Sequence, residues 1–129
     1  MIVVDTNVVA SLLLPTEASD AAERLFAEDP HWLVPLLWRS ELRNVLATAV
    51  RNGVLELGHA VEVMAFAESL LEGAEVEVES SQVLHLASES GCTAYDCEFV
   101  ALARDHGVPL YTLDRKLLKA FPAETREMR

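Results

Sequence analysis

The chain opens with Met1-Ile2-Val3-Val4-Asp5-Thr6-Asn7, the stretch from which its fold can be worked out. The three consecutive apolar residues Ile2 to Val4 are typical of a strand that is buried on both faces of a parallel sheet. Asp5-Thr6-Asn7 then offers capping oxygens to a short helix, predicted for Val8 to Leu14 and stopped by Pro15. The opening therefore predicts a buried strand, a polar turn and a helix.

The remainder of the chain continues this alternation of strands and helices. Further strands are predicted at Trp32–Val34, Val76–Val78, Pro109–Leu113 and Ala123–Met128. Helices are predicted at Ser19–Glu28, Leu36–Arg51, Gly58–Leu71, Ser80–Ser90, Thr93–His106 and Arg115–Phe121. Strands that alternate with helices predict an α/β fold, a three-layer sandwich with a mainly parallel central sheet flanked by helices.

The composition indicates one globular domain that spans residues 1–129, because 51% hydrophobic and 24% charged residues suit a single packed core. Acidic residues outnumber basic ones by 21 to 10, which gives a formal net charge of −11. This charge argues against electrostatic coating of nucleic acid and against an anionic membrane surface as partner. It is compatible with a nucleic-acid enzyme that uses bound metal ions, because such ions invert the local charge.

Location and redox state follow from what the chain lacks. No apolar run is long enough to cross a membrane, and the first residues lack the basic start and cleavage site of a signal peptide. Cys92 and Cys97 are spaced neither as a redox pair nor as a common zinc pair. We therefore expect a cytoplasmic protein with reduced thiols and no membrane partner.

Four acidic residues stand where such a fold places ligands. Asp5 and Asp114 each follow a predicted strand, and ligands bind at the carboxyl ends of parallel strands. Asp96 shares a helix face with Val100 and should point inward, whereas Glu41 lies at the margin of an apolar helix stripe. Burying unpaired carboxylates is costly, so a hard divalent cation with oxygen ligands is the expected compensation.

Each acid also has a purely structural explanation. Asp5 and Asp114 occupy positions where a helix N-cap is expected. Thr93 to Asp96 fits the acidic form of a capping box, and the helix dipole favours Glu41 near its helix N-terminus. Capping accounts for the aspartates, but it does not explain why Glu41 lies at the margin of the apolar stripe of its helix.

Four segments form an ordered set of motifs that covers nearly the whole chain. They are IVVDTN at residues 2–7, SELRNVL at 40–46, TAYDCEFVALA at 93–103 and GVPLYTLDRKL at 107–117. Each motif is weak alone, but with this order and spacing the chain resembles the PIN-domain ribonucleases. It is most similar to the short, stand-alone VapC-like toxins of bacterial and archaeal toxin–antitoxin pairs.

The resemblance implies an acidic quartet that binds Mg²⁺, or alternatively Mn²⁺, and cuts RNA phosphodiester bonds. The quartet is carried here by Asp5, Glu41, Asp96 and Asp114. The family's supporting polar residues, which orient the acids and the metal-bound water, match Thr6, Asn7 and Thr112. Many relatives carry a further acid where this chain has Lys116, which places a second tightly held metal in doubt.

The resemblance also implies partners. These are an RNA substrate, a second copy of the chain in a homodimer, and a cognate antitoxin whose tail covers the acidic site. Several basic residues near the motifs are candidate RNA contacts on an acidic body, namely Arg39, Arg43, Arg115 and Lys116. Ordinary solvated surface charges are the competing interpretation of these four.

We therefore hypothesise a metal-dependent endoribonuclease, the toxin of a toxin–antitoxin pair, that hydrolyses RNA with metal-activated water. No side-chain nucleophile is needed, and no convincing Ser-His-Asp or Cys-His arrangement is present. Two alternatives stay open, a PIN-fold binding module without catalysis and an RNA-processing nuclease that is not a toxin. A phospho-receiver domain fits less well, because Asp5-Thr6 does not supply the adjacent acids of that class.

Overall fold

A computed structural model describes residues 1–129 and contains five strands and seven helices. The strands are β1 (Ile2–Val4), β2 (Trp32–Pro35), β3 (Glu75–Val76), β4 (Leu110–Tyr111) and β5 (Thr125–Arg126). The helices are α1 (Thr6–Leu13), α2 (Ser19–Glu28), α3 (Trp38–Arg51), α4 (Leu57–Leu70), α5 (Ser80–Ser90), α6 (Ala94–His106) and α7 (Arg115–Ala120). Every predicted element is present.

The five strands form one sheet in the order β3-β2-β1-β4-β5, and all its pairings are parallel. β1 is the central strand, with Val3 in register with Leu33 of β2 on one side and Leu110 of β4 on the other. This position explains why the first strand is apolar throughout, since a central parallel strand is covered on both faces. The predicted α/β fold class is confirmed.

Alternate residues of the central strands supply two cores on opposite faces of the sheet. Ile2 and Val4 join Trp32 in a core shared with α1 to α4. Val3 and Leu33 point the other way, into a core shared with α5, α6 and α7. The molecule is therefore a three-layer sandwich of helices, sheet and helices, as predicted.

The element boundaries differ from the predicted ones by a few residues at most. α1 begins at Thr6 because Asp5 itself is the N-cap, and its carboxylate accepts a hydrogen bond from the Thr6 N–H. α5 and α6 end at Gly91 and Gly107, which have positive φ angles of 71° and 63° and act as left-handed C-caps. The outer strands β3, β4 and β5 are only two residues long.

The two cysteines are reduced and lie at the start of α6. Cys92 and Cys97 are both free and buried. They take the N′ and N4 positions of α6, where apolar side chains commonly pack together at a helix start. No helix is both long and apolar enough to cross a membrane.

Candidate active site

The four predicted acids line a single cleft of about 440 Å³. Asp5 directly follows β1 and Asp114 follows β4, and the two carboxyl ends are neighbours because these strands pair in parallel. α3 contributes Glu41 and α6 contributes Asp96 from the sides. The topology thus brings together four carboxylates that are up to 109 residues apart in the sequence.

Asp5 is the most deeply buried of the four, with 6% of its surface exposed. Its Oδ1 accepts the Thr6 backbone N–H at 2.7 Å. Its Oδ2 accepts the Thr112 hydroxyl at 2.8 Å and the Asn7 side-chain amide at 3.4 Å. The three residues predicted to support the quartet therefore all contact Asp5 and hold its carboxylate in one orientation.

The same polar residues connect Asp5 to the rest of the cleft. The Thr6 hydroxyl donates to Glu41 Oε1 at 2.7 Å, which joins α1 to α3. Thr112 Oγ1 accepts the backbone N–H of Asp114 at 3.0 Å, so one hydroxyl positions two acids. This network explains the buried position of Thr112, which has no exposed surface.

The capping explanations are also partly correct. Asp114 is the N-cap of α7, where its Oδ1 accepts the backbone N–H groups of Lys116 at 2.8 Å and Leu117 at 3.4 Å. Thr93 caps α6 by accepting the Asp96 N–H at 3.1 Å. The reciprocal bond of a capping box, from the Thr93 N–H to the Asp96 carboxylate, is not formed. Capping therefore leaves the Asp96 carboxylate available to the cleft.

Burial and mutual repulsion destabilise negative charge in the cleft. Burial raises the pKa of Asp5 to about 6, against the hydrogen bonds from Thr112 and Thr6, and the charges of Glu41 and Asp96 add to the increase. Burial likewise raises the pKa of Glu41, helped by Asp96. For Asp96 the causes of its raised pKa are burial and then the charge of Asp114.

The chemistry of the donor set fits a hard divalent cation. Its donors are anionic oxygens, partly desolvated, and no Lys or Arg lines the cleft to neutralise them. No three acidic, histidine or cysteine side chains converge closely enough to enclose an ion. An ion such as Mg²⁺ does not require that convergence, since it keeps several waters and binds directly through one or two carboxylates.

Five further residues line the cleft that the sequence analysis had not assigned to it. α3 supplies Ser40, Asn44 and Val45, the residue before α3 is Leu37, and Tyr95 lies beside Asp96. Helical spacing contains the signal for Leu37, Asn44 and Val45, because positions three or four residues from Glu41 share its side of the helix.

Glu98 is a fifth acid near the quartet, and it too was missed. It lies two residues after Asp96 on α6, and burial followed by the charge of Glu41 raises its pKa. Its side chain lines a separate, larger cleft of about 530 Å³, whose walls include Leu36, Val78 and Leu84. That cleft is mainly hydrophobic and contains none of the four predicted acids.

The candidate RNA contacts lie outside the acidic cleft. Arg39 donates to Glu75 at 2.6 and 2.8 Å and to Glu68 at 2.6 Å, so its guanidinium is held on the α4 side of α3. Arg43 faces a groove against α4, and Arg115 pairs with Glu127 at 2.9 Å. Their contact with RNA stays a prediction.

Lys116 is the nearest of the predicted RNA contacts to the quartet. Its Nζ donates to the carbonyl of Gly91 at 3.1 Å, and its charge lowers the pKa of Asp96. This charge partly offsets that of Asp96 from outside the cleft lining.

Replacing Thr112 by valine is expected to destabilise the protein and to raise the pKa of Asp5 above about 6. The substitution removes a hydrogen bond that favours the ionised carboxylate, and it leaves the Asp114 N–H without its partner. Loss of such buried partners costs about 1–3 kcal/mol. Carboxyl NMR titration and urea unfolding measure the two effects. Thr112→Ser keeps the hydroxyl, and equal changes in both variants would contradict this role.

Comparison with known proteins agrees with the fold and identifies the family. The PIN domain family profile matches residues 2–122. Ribonuclease VapC3 from Pyrobaculum aerophilum is 35% identical over 126 residues, which cover 95% of each chain. Among solved structures, PAE2754 from Pyrobaculum aerophilum superposes with a TM-score of 0.79 at 22% identity, covering 98% of this chain and 89% of that one. A toxin–antitoxin complex from Klebsiella pneumoniae matches with a TM-score of 0.70 at 17% identity, over 98% and 96%. The chain therefore belongs to the PIN domain family.

Proposed function

We propose that this protein is a divalent-metal-dependent endoribonuclease and the toxin of a toxin–antitoxin pair. The observation that carries the proposal is the single cleft lined by Asp5, Glu41, Asp96 and Asp114 without a basic residue. Ribonuclease VapC3, at 35% identity, supports RNA as the substrate. The phospho-receiver alternative is wrong, because the chain belongs to the PIN domain family.

In this proposal Mg²⁺, or Mn²⁺, is the cofactor, and the four carboxylates hold it either directly or through its bound waters. A divalent ion supplies an activated water as nucleophile and stabilises negative charge on the phosphate. The chain's own contribution is orientation, since Thr112, Thr6 and Asn7 hold Asp5, and Thr6 also holds Glu41. Such outer contacts commonly contribute 10- to 100-fold in metal affinity or activity.

The proposed partners are an RNA substrate, a cognate antitoxin and a second copy of the chain. Support for the antitoxin comes from the toxin–antitoxin complex from Klebsiella pneumoniae, which shares the fold. An antitoxin segment with a cationic side chain would be complementary to the cleft, whose acids have no basic neighbour in its lining. We propose that the protein acts in the cytoplasm, where such an RNA substrate is found.

The test of this function is cleavage of RNA in vitro and in cells. Purified protein should cut single-stranded RNA in Mg²⁺ or Mn²⁺ and stop on addition of EDTA. Asp96→Asn should lower the rate by about 100-fold or more, because it removes a ligand and not merely an outer contact. Sequencing of RNA 5′ ends after brief induction should show new ends with wild-type protein only.

Asp105→Asn is the matched control, since Asp105 is an exposed aspartate on the same helix outside the cleft. It should cleave like the wild type. Equal activity of Asp96→Asn and Asp105→Asn, or cleavage that survives chelation, would reject the metal-dependent mechanism. No cleavage by any folded variant would instead favour a non-catalytic PIN-fold binding module.

A further inference from the structure

We propose that Tyr95 is a stacking platform for an unpaired nucleobase next to the phosphate that is cut. The proposal rests on the ribonuclease function given above and adds a specificity-determining residue to it. Tyr95 lies beside Asp96 at the start of α6, and 63% of its surface is exposed although its ring lines the acidic cleft. Val45 of α3 lines the same cleft and supplies a second apolar contact to the base.

The cleft has two chemically different parts. Its floor contains the buried Asp5 and the surrounding acids, whereas its apolar lining consists of Tyr95, Leu37 and Val45. Val45 lies on α3, lines the same cleft and is itself 38% exposed, so it is accessible to a ligand there. An apolar lining beside anionic residues matches a nucleotide, because its flat base and its charged phosphate need different surroundings.

Charge explains why base stacking is needed here. The protein has a net charge of −11, and no Lys or Arg lines the cleft, so contacts from its own side chains to phosphate supply little affinity at this place. Stacking of a base on an aromatic ring involves no phosphate and contributes about 1–3 kcal/mol per base, or about 5- to 150-fold in affinity. Tyr95 is the aromatic side chain of the cleft.

The same surroundings exclude a paired base. A base within a duplex already stacks on its neighbours, and extruding it costs a few kcal/mol. Asn44 also lines the cleft, and its exposed amide offers one donor group and one acceptor to a base edge that is not engaged in pairing. The part of the cleft lined by Tyr95, Val45 and Asn44 therefore favours RNA loops and single strands over helices.

The first experiment uses uncharged ligands, which avoid both metal and phosphate. Metal-free protein is titrated with adenosine and with cytidine while NMR follows the aromatic signals. The chain has two tyrosines, so Tyr95→Phe assigns the ring signals of Tyr95 against those of Tyr111. Stacking should shift the Tyr95 ring protons and the Val45 methyl groups saturably, and Tyr95→Ala should abolish the shift at Val45.

The second experiment uses cleavage of one loop-containing RNA under Mg²⁺. Tyr95→Ala should raise KM by about 5- to 100-fold with a smaller change in kcat, while Tyr95→Phe, which keeps the ring, should stay within about 3-fold of wild type. Phe66→Ala is the matched control, because Phe66 is another exposed aromatic, 58% exposed on α4, and does not line the cleft.

The outcomes separate this inference from the function on which it rests. If RNA is cut but KM is the same for Tyr95→Ala, Tyr95→Phe and wild type, the function stands and the platform is wrong. If no RNA is cut but nucleosides shift the Tyr95 signals, the platform stands and the nuclease proposal fails. If Tyr95→Ala changes the molecular mass in solution, measured by light scattering, but leaves nucleoside binding and KM unchanged, the ring belongs to a protein interface and the platform is wrong.

Discussion

Asp5→Asn is expected to reduce RNA cleavage by about 100-fold or more while the protein stays folded. Asp5 accepts hydrogen bonds from three polar residues, Thr6, Asn7 and Thr112. Asparagine has nearly the same shape, and its carbonyl oxygen still accepts the Thr6 N–H that caps α1. The substitution therefore removes the charge that a divalent ion needs without removing the cap.

The measurement is the single-turnover rate of RNA cleavage at saturating Mg²⁺, with circular dichroism to show that the fold is intact. Asp105→Asn removes one negative charge at an exposed position outside the cleft and should leave the rate unchanged. A folded Asp5→Asn protein that cleaves as fast as Asp105→Asn would mean that the Asp5 carboxylate has no part in the reaction.

Asp5 is also expected to make the stability of the metal-free protein depend on pH. Its pKa is about 6 in the folded protein against an ordinary value of 3.8, because burial disfavours the charged form. Well below pH 3.8 both states carry the proton and Asp5 contributes no difference in stability. As the pH rises toward 6 the unfolded chain ionises first, so the free energy of unfolding falls. The total loss is about 3 kcal/mol.

Urea unfolding from pH 4 to pH 7.5 in EDTA measures this effect as the difference between wild type and Asp5→Asn. The difference removes the contributions of groups away from the cleft, such as Asp29 and Glu75, whose lowered pKa values act on stability in the opposite direction in both proteins. The variant should lose less stability than wild type between pH 4 and 6, because Glu41 and Asp96 keep their own raised pKa values. Parallel profiles would show that Asp5 is not desolvated in solution. Adding Mg²⁺ at pH 7 should stabilise wild type more than the variant.

Local signals in the sequence were sufficient to predict the helices and strands and to identify the four acids. The apolar run Ile2–Val4 predicted the buried strand, and the capping oxygens of Asp5 and Thr93 lie at the starts of α1 and α6. These signals depend on neighbours within a few residues, so a single sequence displays them directly. The four acids were identified because Asp5 and Asp114 each follow a predicted strand, and Glu41 and Asp96 each lie near the start of a predicted helix.

Contacts between distant parts of the chain could not be predicted in this way. The Thr112 hydroxyl donates to Asp5 across 107 residues, and Thr6 donates to Glu41 across 35. Arg39 was expected near RNA, yet it is engaged by Glu68 and Glu75 from other elements. Side-chain partners at this separation depend on how the helices pack on the sheet, which periodicity does not specify.

By itself the sequence determined the alternation of strands and helices, the burial of the first strand and the four acids at element ends. Hydrophobic periodicity and capping depend on residues that are close together in the sequence, so both can be recognised from the sequence alone. Only the tertiary structure decided the strand order β3-β2-β1-β4-β5, and with it the meeting of Asp5 and Asp114 at one edge. It also decided that Tyr95 of α6 lines the same cleft as residues of α3, because the wall of a cleft is formed by packing between elements and not by any one of them.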